Sequence, residues 1–133
     1  MDDITMKIYE AIIDNKEIMN HVQKNNIKFF DYPNAQEIKD VVIVIDPLGQ
    51  DTPTNFGDDF PIIFEDLYQI DVFVKQRTNL NARLIAKDIT FEIAKTLRMI
   101  NIYDTGGSIK PEYIKDFNIY RQTKRFEAKQ SIA

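Results

Sequence analysis

Cysteine is absent from this 133-residue chain. Its absence removes disulfide staples, thiolate nucleophiles and every cysteine-based metal site, and fits synthesis in a reducing cytoplasm. Histidine occurs once, so any histidine-based triad would rest on His21. That residue lies beside Asn20 on a short helical stretch with no serine or cysteine partner evident in the sequence, and a surface or capping role is the simpler reading. No apolar run approaches the length of a bilayer span, and the start, Met1-Asp2-Asp3, is acidic where a secretory leader would be basic. Neither membrane insertion nor export is expected. Neither glycine-rich phosphate-binding pattern occurs, and Gly106-Gly107 reads as part of a turn.

What remains has the composition of a globular protein, 44% hydrophobic and 29% charged. The length predicts one domain over residues 1–133, burying roughly two thirds of the surface its unfolded form exposes. A net charge of -4 argues against generic nucleic-acid binding, which draws on clustered Lys and Arg. The charge is uneven. Between Lys110 and Gln130 six bases outnumber three acids, giving +3 and leaving -7 for the rest of the chain, a polarity suited to head-to-tail association.

Hydrophobic spacing predicts an α+β fold: a mostly antiparallel sheet flanked by an N-terminal bent helix and one long helix. Ile4, Ile8 and Ile12 recur every four residues, the stripe of a short helix. Asp14 and Glu17 have the spacing of a capping box, which predicts a bend at Asp14-Asn15 and a second short helix carrying Ile18, Met19 and Val22 inward. Residues 27–32 (IKFFDY) read as a strand stopped by Pro33. Val41 to Ile45 is an unbroken run of β-formers, the pattern of a central strand covered on both faces. Residues 47–61 collect three prolines, two glycines and Asp51, Asp58 and Asp59, and read as a long acidic loop. From Tyr68 to Gln76 the pattern alternates, with Phe73 among charges on the outer face as a contact residue. Thr78 or Asn79 is the expected cap of a long helix through Ile85, Ile89, Ile93, Leu97 and Ile100. A turn at Asp104 to Gly107, another strand pair, and a long strand from Phe117 to Gln130 complete the pass.

Nothing in this pattern singles out catalytic or metal chemistry. The adjacent acids Asp58-Asp59 and Glu65-Asp66 read as solvated charge, because acid/base catalysis needs environments that separate two pKa values. Asp51, Asp58 and Asp59 suit a hard cation in type but lack the alternating Asp and Gly of a calcium loop. No catalytic residue, metal or cofactor is expected. In the tail, Tyr113, Phe117, Tyr120 and Phe126 alternate with bases, a mix that stacks and holds single-stranded nucleic acid. The preferred reading is aromatic core plus a charged edge that discourages stray strand pairing. The candidate contact residues are Arg121, Lys124, Arg125, Asp58, Asp59 and Phe73.

The order of these elements resembles the tail terminator, or tail completion, proteins of long-tailed bacteriophages. The resemblance is one of layout and covers nearly the whole chain: the bent helix from Ile4 to Val22, the strand ending near Asp31-Tyr32-Pro33, the Val41 to Pro47 strand, the Tyr68 to Lys75 strand, the long helix, and a closing strand through Ile119-Tyr120-Arg121 and Lys124-Arg125-Phe126. It implies a structural virion protein, a homo-oligomeric ring of six subunits on the head-proximal end of the tail tube. Such a ring ends tube polymerisation and meets the head connector, with the tail tube protein and the connector as partners. Genomic DNA passes through the channel without specific binding, and no membrane or cofactor takes part. On this reading an acidic loop of one subunit meets the basic strand of the next. A head-tail neck adaptor fits the same features, and a small enzyme or nucleic-acid-binding regulator is the reading from a different class.

Overall fold

The computed structural model describes residues 3–57, 60–107 and 109–131. Three helices and a mixed six-stranded sheet make an α+β fold. Helix α1 spans Ile4–Ile13 and α2 spans Lys16–Met19. Strand β1 (Ile27–Phe29) is followed by β2 (Val41–Gly57) and β3 (Phe60–Lys75). Helix α3 (Ala82–Arg98) leads into β4 (Ile102–Asp104), β5 (Glu112–Ile114) and β6 (Ile119–Ser131). The strand order is β1-β2-β3-β6-β4, with β5 beside β4's position on the same edge of β6. Among the described residues only β1 and β2 run parallel.

The helices cap where short polar side chains precede apolar stripes. The Asp3 side chain accepts from Met6 N–H at 3.2 Å, and Asn15 accepts from Ile18 N–H at 3.1 Å. Asn15 therefore takes the capping place that the sequence assigned to Asp14. At α3 the cap is Asn81, which accepts from Leu84 N–H at 3.2 Å; Asn79 instead turns the chain at φ 63°. Ile4, Ile8, Ile12, Ile18, Ile89, Ile93 and Leu97 are buried against Ile43, Ile45, Tyr68, Ile70, Val72, Val74 and Phe126 of the sheet. A smaller cluster, Ile38, Val42, Val44, Phe73 and Ile119, covers part of the opposite face.

Three expectations about the strands change as well. The central strand is β3, held by β2 on one side and β6 on the other, although Val41 to Ile45 is indeed covered on both faces. The strand read over 27–32 ends at Phe29, where Phe30 breaks the extended path at φ 65°.

The expected loop over 47–61 is mostly strand. Beyond Ile45, β2 has no strand partner on its β1 side among the described residues, so it is an edge there, and an edge accommodates Pro47 and Pro53. Pairing shifts between Pro47 and Gly49, between Gly49 and Thr52, and again between Pro53 and Asn55. These bulges absorb the residues that punctuate loops elsewhere. Asp51 adopts φ 53°, and its N–H donates to the buried Asp66 carboxylate at 2.6 Å. The result is a ribbon of β2, β3 and β6 in which residue 48 and residues 50–54 are exposed.

Candidate functional site

The sheet face turned away from the helices carries a polar cluster centred on Asp71. Alternation along β3 places Gln69, Asp71, Phe73 and Lys75 on this face, and β6 sets Arg125, Thr123, Arg121 and Ile119 opposite them. Asp71 is 0% exposed. Its Oδ1 accepts from Arg121 Nε at 3.0 Å and from the Thr123 hydroxyl. Its Oδ2 accepts from the Tyr32 hydroxyl at 2.7 Å and from Gln69 Nε2 at 3.1 Å. Four donors use the acceptor capacity of one carboxylate, which leaves Asp71 without a lone pair to take a substrate proton. It orders its neighbours.

Tyr32 closes the cluster from the segment after β1. Its ring packs edge-on to Phe73 at 6.4 Å between centroids, and the Arg121 guanidinium lies 5.7 Å from the Tyr32 ring and 5.1 Å from Phe73. The hydroxyl is also 3.1 Å from Asp46 Oδ2, but with one proton it donates to the nearer Asp71. Burial raises the Tyr32 pKa far above the ordinary phenol value, and the hydrogen bond to Asp71 and the charges of Asp71 and Asp46 raise it further. The phenol is a neutral donor at any physiological pH.

The candidate contact residues are dispersed. Arg121 is committed to Asp71, its side chain 27% exposed, and Arg125 Nε donates to Gln69 Oε1 at 3.1 Å on the same face. Lys124 points to the helix side, where Nζ lies 3.3 Å from Asp104 Oδ2. Asp104 sits below the usual carboxylate range because Gly106 N–H bonds to it, with Lys124 and Arg98 adding to the effect against desolvation. Phe73, expected as an exposed contact, is 5% exposed under Tyr32 and Arg121. Asp58 and Asp59 lie outside the described residues. His21 is exposed, as expected, and no group of three potential metal-ligating side chains occurs among the described residues.

Asp71 and Tyr32 were in view in the sequence but not as partners. The visible signal was a single Asp between Ile70 and Val72 in an apolar strand. What it binds depends on the alignment of β6 and the path of residues 30–33, and neither is written in local spacing.

Compared with known proteins, the chain matches no family model and no curated protein at a significant level.

Proposed function

We propose that this chain is a structural subunit of a long-tailed bacteriophage, forming a ring at the head-proximal end of the tail tube. There it stops tube polymerisation and joins the head connector, with the tail tube protein and the connector as its partners. Genomic DNA crosses the ring without specific binding. The observation that carries the reading is the projecting ribbon. A three-stranded arm gives a subunit reach beyond its own helix-covered core, toward a neighbour or the next layer of an assembly. Its polar centre supports the same reading: the Asp71 cluster is spent on internal bonds that hold β3, β6 and residue 32 in one shape. A part that works through its surfaces needs that rigidity.

The test is electron microscopy of particles made without this protein. Overlong or unterminated tails are the expected result. Tails of normal length lying free of heads would instead assign the chain to the neck as an adaptor, and unaltered particles would remove both roles.

A further inference from the structure

On the helix side, a groove of about 800 Å³ runs between α3 and β6. Arg83, Lys87, Lys95 and Arg98 of the helix line it, Lys95 with its ammonium 3.8 Å from Glu92, and Lys124 faces them from the strand. Asp104 is the one acid in its wall among the described residues, and it is already paired with Lys124. Arg83 and Lys87 have no ion-pair partner among the described residues. At the groove's rim stands Phe91, 65% exposed and the one aromatic residue of α3.

The opposite flank of the same helix has the opposite sign. A smaller hollow there is lined by Glu17 of α2, by Asp88 and Glu92 of α3, and again by Phe91. Phe91 therefore stands between a basic groove and an acidic flank, with the Lys95–Glu92 pair joining the two beside it.

We infer that the groove receives the acidic flank of a second copy of this chain, with Phe91 buried at the seam. The argument is charge complementarity within a single sequence: Arg83, Lys87, Arg98 and Lys124 line the groove, Glu17, Asp88 and Glu92 line the flank, and Lys95 stands at the boundary, 3.8 Å from Glu92. Resting on the ring reading, which needs unlike faces of identical subunits to meet, it names those faces. Contacts between unlike surfaces close into rings when the rotation between subunits allows. It also moves the basic partner from Arg121 and Arg125, which are tied down inside the subunit, to Arg83 and Lys87, which are not. A nucleic-acid phosphate backbone is the rival occupant for a basic groove; the chain's net charge of -4 and the exposed Phe91 at the rim favour protein.

The experiment uses the full chain and charge reversal on each side, R83E/K87E for the groove and D88K/E92K for the flank, with far-UV circular dichroism to establish that both fold. Molar mass is followed by light scattering during size-exclusion chromatography at low and high salt. Wild type should assemble, less so in high salt. Each variant alone should elute as a monomer, and an equimolar mixture of the two should regain the wild-type mass, because reversed groove and reversed flank attract again. A monomeric wild type overturns the inference, as does an R83E/K87E variant that assembles like wild type. In the second case the ring reading survives with its interface elsewhere. Restored assembly in the mixture, beside unaltered particles in the microscopy test, upholds the contact and sinks the tail role. Binding of a fluorescein-labelled single-stranded oligonucleotide by a monomeric wild type, lost in R83E/K87E, would give the groove to nucleic acid.

Discussion

Asp71 is the residue whose loss the fold should feel most among its polar groups. Removing a buried carboxylate leaves the Arg121 charge, the Thr123 and Tyr32 hydroxyls and the Gln69 amide without their shared acceptor. Truncating one partner of a buried pair costs about 3–5 kcal/mol, and because Arg121 is partly exposed the lower end applies. Asp71→Ala should therefore destabilise the protein by about 3 kcal/mol in urea unfolding, against about 1 kcal/mol for Thr123→Val, which removes a single neutral donor. Tyr32 adds a pH signature. Its pKa is raised on folding, so the folded protein keeps a proton that the unfolded chain gives up. The corresponding stability is complete below the ordinary phenol pKa near 10 and falls away as pH rises past it. Unfolding midpoints measured from about pH 9 to about pH 11 should decline in wild type and decline less in Tyr32→Phe. The residual slope belongs to Tyr68, whose pKa is raised mainly by burial.

At the scale of elements, α3 owes its start to Asn81. Asn81→Ala should cost about 1 kcal/mol, and Asn79→Ala should also destabilise, because its side chain would have to hold φ 63° without the tolerance of Asn for that conformation. Thermal melts of the two variants would separate cap from turn, since Asn79→Gly should restore what Asn79→Ala loses and Asn81→Gly should cost only a few tenths of a kcal/mol. Elements with strong periodicity were legible in the sequence. The stripe Ile4-Ile8-Ile12 marked the first helix and its buried side; of the stripe Ile85-Ile89-Ile93-Leu97-Ile100, the middle three are buried, Ile85 is half-buried, and Ile100 lies past the helix end at Arg98 and is 40% exposed. Alternation from Tyr68 marked both faces of β3. The ribbon was not legible, because its prolines, Gly49 and Asp51 are loop-formers by local preference. They become strand residues only at an edge with bulges, and that depends on β1 stopping at Phe29. Phe73 was placed on the right face and given the wrong exposure: Tyr32, forty-one residues earlier in the chain, covers it.

For the molecule as a whole, the charge split noticed along the sequence takes a different form in space. The bases of the tail fall on both sides of the sheet, while α3, with four cations and two acids, turns Arg83, Lys87 and Arg98 to one flank and Asp88 and Glu92 to the other, Lys95 meeting Glu92 between them. Linear counting cannot see that sorting. One apolar core lies beneath all three helices, and the smaller cluster shares β2, β3 and β6 with it. Unfolding should therefore be a single transition, coincident by tyrosine fluorescence and far-UV circular dichroism. Leu97→Ala should lower stability by about 3 kcal/mol while keeping the transition single. Two separated transitions would show that the ribbon side unfolds on its own.

The Asp71 cluster also acts as a gauge of length. A slip of β6 by one residue along β3 would turn Arg121 and Thr123 toward the helices and leave the enclosed carboxylate without either. A slip of two would keep the face but bring Arg121 or Arg125, each with a long guanidinium, to the place of the short Thr123 hydroxyl. Hydrophobic alternation alone rejects the first error and tolerates the second. One carboxylate in the middle of the sheet thereby decides how far β6 runs alongside the arm, and with it how far the arm is stiffened before only two strands remain.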